Sequence, residues 1–440
     1  MRLRHLSVTN LYGSLTKEVS FNDEINLLVG INGSGKTSVL YAIDWLLRPD
    51  FPRLSTTPFE RLALTLDYES STITIEAVQK QRDLNLVLKT DGKTYPSIHV
   101  ALKVDPAKID DEQQREYLLD AYSALGPEAQ EKSTWELLAG IPKPIVIALD
   151  RTISAEAEDK IYREPSNSQR PRRLPVARSP LIRVMEVTAV RYAAYRNKVI
   201  QLNDVLKGKL VMSALRDPSE AFSSDSLPQR LSSKDIDRLE RRALEYLPTA
   251  IKGADVADRI RRYFEGAKRI TEKSVSKDEK DLFLRVFANQ YRQIQDLATA
   301  FGEFENESTS AYASLHRYLD IVNRFLADSR KQVGFNERTN QIGFRFLNTK
   351  GMPQDPLHGI EHLSSGERQI LILFTFLAFI SQEQRVFIVD EPELSLHPKW
   401  QSEFLDAFLT LKPPKTQLFF ATHSPEIVGQ HKDACVVLLP

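Results

Sequence analysis

The residues able to do chemistry fall in two stretches far apart in the chain. Near the N-terminus, Gly30-Ile31-Asn32-Gly33-Ser34-Gly35-Lys36-Thr37 has the spacing GxxxxGK[ST]. Glycines let such a loop fold tightly, so that backbone N–H groups and the start of the following helix point at one anion. In that cradle Gly30, Asn32, Gly33, Ser34, Gly35 and Ser38 would contact phosphates. Lys36 would reach the β- and γ-phosphates, and the Thr37 hydroxyl would ligate Mg²⁺. ATP and Mg²⁺ are therefore the expected cofactors. A plain glycine-rich turn is the bland alternative; the apolar strand before the loop and the helix after it argue for the phosphate site.

The second stretch lies late in the chain. Val386-Phe387-Ile388-Val389 ends in Asp390-Glu391-Pro392. Two adjacent carboxylates at a strand's tip are costly unless a cation is near. Asp390 suits the Mg²⁺ shell through water, and Glu391 suits polarisation of an attacking water as general base. Leu363-Ser364-Ser365-Gly366-Glu367 precedes an apolar helix. Ser364, Ser365 and Gly366 can offer a hydroxyl and N–H groups to a phosphate, or one serine can simply cap the helix with Glu367. Capping aligns those same N–H groups, so both readings can hold together. Ala421-Thr422-His423-Ser424-Pro425 follows another apolar run.

The elements that must position these residues follow from hydrophobic pattern. Residues 25–29 read as a buried strand and residues 37–47 as a helix. Residues 62–100 alternate as antiparallel strands, with Asp91-Gly92 as a hairpin turn. Residues 106–138 read as two short helices, and residues 144–149 as a buried strand. Residues 164–180 hold four prolines and four arginines, with Arg163 just before them, a basic linker that is either a solvated connector or a phosphate-contacting arm. Residues 181–331 are helical. Residues 181–216 could form one helix of about 54 Å. Asp217-Pro218, Leu227-Pro228 and Leu247-Pro248 are expected to break the rest into several helices rather than one long arm. Residues 333–346 return to β character around a turn at residues 336–340. Strands are then expected at 386–389, 417–421 and 436–439.

Composition narrows the function classes. In 440 residues, 59 basic and 59 acidic side chains cancel, which argues against a constitutively basic nucleic-acid binder. A single cysteine, Cys435, excludes a disulfide framework or a CxxC hook and fits a reducing, cytoplasmic location. The longest apolar run, residues 370–380, is short of the roughly 20 residues that span a bilayer, so no membrane is expected.

Together the motifs resemble the ABC-type heads of SMC, RecF and OLD-like ATPases. LSSGE is similar to their signature, which implies that Ser364, Ser365 and Gly366 contact ATP bound to an opposite head. His423 resembles their switch histidine, a sensor of the γ-phosphate, which adds it to Glu391 and Lys36 as catalytic. Glu393-Leu394-Ser395-Leu396-His397-Pro398 resembles the D-loop region, with Ser395 near a dimer interface. Tyr12, in Asn10-Leu11-Tyr12-Gly13, stands where relatives often carry arginine and could stack on adenine. No clear Q-loop glutamine is present; Asp150-Arg151 is the nearest candidate. The fold class implied is α/β: a split P-loop head with a parallel core sheet, an antiparallel β region and an inserted α-helical, partly coiled-coil domain. The expected domains are 1–150 (P-loop lobe), 151–332 (linker and helical insertion) and 333–440 (signature, Asp-Glu strand and histidine).

For such heads, two copies closing on two ATP molecules is the implied assembly. The wording DEPELSLHP and LSSGE points first to an anti-phage defence ATPase. The few residues after His423 suggest a separate TOPRIM- or HNH-type nuclease effector, as in PARIS or Septu, with a phage protein as trigger. The alternatives are a RecF- or SMC-like DNA repair ATPase, with DNA as ligand, and a nucleotide-gated assembly protein with little turnover. A transporter ATPase fits least.

Overall fold

The computed structural model describes residues 1–109, 111–148, 153–154, 179–214, 233–250, 255–272, 277–381 and 385–439. In chain order the elements begin β1 (Arg2–Leu11), β2 (Leu15–Ser20), β3 (Ile25–Val29), α1 (Lys36–Leu47), α2 (Phe51–Thr56), β4 (Arg61–Tyr68), β5 (Ser71–Lys80), β6 (Asp83–Thr90), β7 (Lys93–Thr94) and β8 (Ile98–Ala101). There follow α3 (Glu112–Tyr122), α4 (Lys132–Gly140), β9 (Ile145–Ile147), β10 (Ile153–Ser154), α5 (Pro180–Ala214), α6 (Ser233–Ala250), α7 (Val256–Glu272) and α8 (Lys277–Leu326). The chain closes with β11 (Lys331–Phe335), β12 (Ile342–Leu347), β13 (Pro353–Gly359), α9 (Ser365–Thr375), β14 (Val386–Asp390), α10 (Pro398–Leu411), β15 (Gln417–Ala421), α11 (Pro425–Val428) and β16 (Cys435–Val437). It divides into two compact units, Met1–Val190 with Arg317–Pro440, and Arg191–His316.

The first unit needs both ends of the chain. Its six-stranded sheet has the order β10-β9-β14-β15-β3-β16. All neighbours are parallel except β10 and β9. Parallel strands covered on both faces read as continuous apolar runs, and β14 and β15 are buried at every position. Register decides what this sheet does. Asp390 pairs with Ala421, and Ala421 pairs with Leu28. The strands therefore finish level, and whatever follows each of them emerges on one edge.

A seven-stranded antiparallel sheet, β2-β1-β4-β5-β6-β7 with β8 also on β6, forms a second layer. In β5, Ile73, Ile75 and Ala77 face the core while Thr72, Thr74 and Glu76 do not, the period-2 alternation of a half-buried strand. Helix α1 touches β1, β4 and β5 of this sheet and β14 and β15 of the other. It buries Val39, Leu40, Ala42, Ile43, Trp45, Leu46 and Leu47, as a helix covered on most sides must. Buried polar groups are matched: the Gln417 amide donates to Leu3 O and Asn22 O and accepts from Leu3 N, which joins β15 to the N-terminal strand.

A third sheet, β11-β12-β13, precedes α9. Helix α9 continues as a π turn, Phe376–Ile380. The aromatic rings of Phe325, Phe374, Phe404, Phe408 and Phe420 then pack at centroid distances of 4.6 to 6.0 Å, fixing the end of α8, α9 and α10 on the parallel sheet. The seven-residue β13 was not anticipated, because PQDPLHG holds two prolines and one large apolar residue; it survives as an edge strand.

The second unit is helical. Lys198 pairs with Glu307, Lys209 with Glu303, and the Tyr195 ring lies 4.9 Å from that of Tyr312. Partners ascend along α5 as they descend along α8, so the two helices run antiparallel. Helices α6 and α7 bury Ile236, Leu239, Ala243, Phe264 and Ala267 against Ile294, Leu297 and Phe301 of α8.

The helical region is several helices, as expected: α6 ends at Ala250, just past Pro248, and α7 begins at Val256. No proline occurs at residues 249–352, and α8 runs for 50 residues, about 75 Å at 1.5 Å per residue. Asp217-Pro218, Leu227-Pro228, Asp150-Arg151 and nearly all of the basic stretch lie outside the described residues. Among the described residues no helix is long and apolar enough to cross a membrane.

Candidate functional site

The level strand ends create one crevice at the carboxyl edge of the parallel sheet, the usual ligand position in open α/β sheets. From β3 comes the glycine loop, from β14 Asp390 and Glu391, and from β15 His423. The intervening β15 is tied to both neighbours beyond the ladder: Thr422 N donates to Leu28 O at 3.2 Å and Glu391 N to Ala421 O at 2.8 Å.

Within the loop, Gly33 and Gly35 have φ of 81° and 93°, values that favour glycine. A side chain at Gly30 would come within 2.5 Å of Leu438 O. Asn32 and Gly33 are exposed, Ser34 is buried, and Gly35 caps α1. Lys36 is only 6% exposed. Its ammonium donates to Gly30 O at 3.0 Å and to Ile31 O at 3.2 Å. Burial lowers its pKa, while the charges of Glu391, Asp390 and Glu393 work the other way. Ser38 follows in the first turn, half-buried.

Thr37 Oγ1 donates to Asp390 Oδ1 at 3.2 Å, across 353 residues of chain. Asp390 is buried, and its Oδ2 has no partner. Burial pushes its pKa up to about 6, opposed by the Thr37 hydrogen bond and supported by the charges of Glu391 and Glu393. An orphaned buried carboxylate oxygen beside a hydroxyl suits a hard cation that keeps part of its water and takes its other ligands from phosphate. Glu391 leaves β14 with φ 46°, a left-handed conformation that costs about 1 kcal/mol in a non-glycine residue.

Ser364 caps α9, and a full capping box joins its side chain to Glu367 N and its own N–H to the Glu367 carboxylate. Ser365 opens the helix. A side chain at Gly366 would lie 2.5 Å from Ser395 O, so the turn at Ser364–Gly366 rests directly on the backbone of the segment after Glu391. Among the described residues, no hydrogen bond joins Ser364, Ser365 or Gly366 to the 30–38 loop. His423 is exposed, and with Gly30 it lines a cavity of about 330 Å³. Tyr12 is half-exposed, at φ 56°, with its N–H bonded to Pro58 O; Leu15 of the same hairpin lies against Gly35.

Residue pattern did not reveal the surroundings of Glu367. It is 2% exposed and paired with Lys331 at 2.8 Å, and it also accepts from Ser329 Oγ. Burial opposes its charge, but Lys331, Ser329 and Ser364 outweigh burial and hold its pKa low. A depressed carboxylate stabilises the fold above its unfolded pKa of about 4.3 and loses that contribution as pH falls through the folded value. Glu367→Ala strands Lys331 and should cost roughly 3 kcal/mol, read as a lower urea midpoint. In Glu367→Gln the midpoint should fall less steeply than in wild type below about pH 4.3; parallel curves would contradict the pairing.

The family model described as "AAA ATPase domain" matches residues 1–428. No curated protein matches. Similar solved structures include the Smc head bound to the C-winged helix domain of ScpA, at 10% identity and TM-score 0.39, covering 97% of this chain and 91% of that one. Another is the Smc head domain with a coiled coil and joint derived from Pyrococcus yayanosii, at 13% identity and TM-score 0.35, covering 97% and 93%.

Proposed function

The chain belongs to the AAA ATPase domain family, and from that premise we propose that it is a split ABC-type head of the SMC and RecF kind, an ATPase that serves DNA repair or chromosome maintenance. The observation that carries the reading is the Thr37–Asp390 hydrogen bond with the orphaned Asp390 Oδ2 beside it. In this reading Lys36 and the loop N–H groups hold the β- and γ-phosphates, and Thr37 and Asp390 hold Mg²⁺. When bound, that cation screens the phosphates' charge. Glu391 takes a proton from the attacking water, and His423 lies on the γ-phosphate side. Tyr12 faces the base.

Among the described residues Ser364, Ser365 and Gly366 make no hydrogen bond to the 30–38 loop of their own copy, and in this reading they act on the ATP of a second copy. Two heads would then enclose two nucleotides. Sedimentation of Glu391→Gln with Mg²⁺-ATP should show a doubled mass; a mass unchanged by ATP would overturn the dimer. DNA-stimulated turnover that weakens with salt would support the DNA role, and turnover indifferent to DNA would remove it. The defence reading, with a TOPRIM- or HNH-type effector and a phage trigger, rests on the wording DEPELSLHP and LSSGE. Phage restriction lost with Lys36→Ala would favour it. A cytoplasmic location suits either role.

Asp390 sets the expected pH dependence. Its raised pKa means that the nucleotide-free fold loses stability from this group as pH rises from its unfolded value toward about 6. Mg²⁺ competes with the same proton. Turnover should therefore fall about tenfold per unit below that pH, and added Mg²⁺ should move the midpoint lower. A midpoint indifferent to Mg²⁺ would remove Asp390 from the cation shell.

A further inference from the structure

Glu393 lies in the turn after Glu391, closed by Leu396 N donating to Glu393 O at 2.9 Å. Its carboxylate does not point to solvent. Oε1 accepts from His423 N at 2.6 Å and from Ser424 N at 3.2 Å, and Oε2 is buried without a partner. Two successive N–H groups converging on one carboxylate oxygen make a charge-assisted anchor. A second tie runs parallel to it. Gln401, on α10, donates to Leu396 O at 2.9 Å and accepts from Ser424 Oγ at 2.6 Å. The loop after β15 is thus fastened to the turn after β14 by side chains as well as by the strand ladder. Among the described residues no cation lies at ion-pair distance from Glu393; the Lys36 ammonium, whose charge it feels, is bonded instead to Gly30 O and Ile31 O.

We propose that Glu393 is a positioning residue for ATP hydrolysis: its carboxylate holds the backbone of His423 and Ser424 and so sets the distance between the histidine and Glu391. The inference rests on the reading of His423 as a residue of the hydrolytic site. Glu393 acts through the backbone, so His423→Ala leaves its two hydrogen bonds in place. The side chain and its anchor can therefore be separated experimentally.

The test is a double-mutant cycle on the full chain, with kcat and KM for ATP measured for wild type, Glu393→Ala, Glu393→Gln, His423→Ala and Glu393→Ala/His423→Ala. Glu393→Ala should lower kcat about tenfold with KM changed less than about threefold, the pattern of an interaction needed in the transition state. Glu393→Gln keeps an oxygen that can accept both N–H groups and should recover most of the rate. The double variant should be no slower than His423→Ala, because residues acting through one another are non-additive. Wild-type kcat in Glu393→Ala, multiplicative losses in the double variant, or a joint collapse of kcat, ATP affinity and melting temperature would each overturn the inference. Normal turnover in His423→Ala would instead defeat the histidine reading itself, whatever Glu393 does.

Discussion

Lys36→Ala is expected to bind ATP at least a hundredfold more weakly than wild type. The ammonium is buried in the loop, bonded to two of its carbonyls, and faces three carboxylates. In the proposed site a bound triphosphate would exchange those carbonyls for phosphate oxygens. Removing one partner of such a desolvated charge pair costs about 3 kcal/mol or more, which is over two decades in Kd. The loop itself should survive, because its shape depends on Gly33 and Gly35 rather than on the lysine. Equilibrium dialysis with ATP and a circular dichroism melt check both halves of the expectation. A wild-type Kd would remove the glycine loop from the nucleotide site.

Glu391→Gln is expected to separate binding from turnover. The residue is the first beyond β14, and its left-handed backbone and its bond to Ala421 O fix where the side chain starts. An amide fills the same space and cannot take a proton. Loss of a general base lowers kcat by about 10² to 10⁴, and ATP affinity should stay within about threefold since Lys36 and Thr37 are untouched. Phosphate release under saturating ATP measures the first quantity, and nucleotide titration the second. Turnover within a factor of two of wild type would mean that another group activates the water.

Much of this centre was legible because each motif is a local object. A glycine loop between strand and helix, and two carboxylates after four apolar residues, carry their own context. The capping box at Ser364 and Glu367 was legible for the same reason. What joins them was not. The position of β15 between β14 and β3 follows from parallel pairing across hundreds of residues, which hydrophobic pattern does not encode. Lys331 and Ser329 reach Glu367 only after β11 docks beside α9. Glu393 was readable as part of a motif, yet its hold on His423 needs the fold. The long helix α8 was readable in principle. Its stretch is free of proline, while the prolines at 218, 228 and 248 all precede it.

The arrangement also separates two tasks. Residues on the parallel sheet's edge converge on one crevice, where the proposal puts the nucleotide. The turn at Ser364–Gly366, seated on Ser395 O, makes no hydrogen bond to the 30–38 loop among the described residues, and a role toward a second copy is part of the proposal. Coupling between the tasks would run through the turn that holds Glu393 and Ser395, because it touches the histidine loop on one side and the signature on the other.

The central claim is that residues from both ends of the chain form one ATP-hydrolysing centre. It is tested most directly by identifying the nucleotide retained after incubation with Mg²⁺-ATP and rapid desalting. Glu391→Gln should retain ATP, wild type should retain ADP or none after releasing phosphate, and Lys36→Ala should retain nothing. Equal phosphate release by all three proteins, or ATP held equally by Lys36→Ala, would contradict the account.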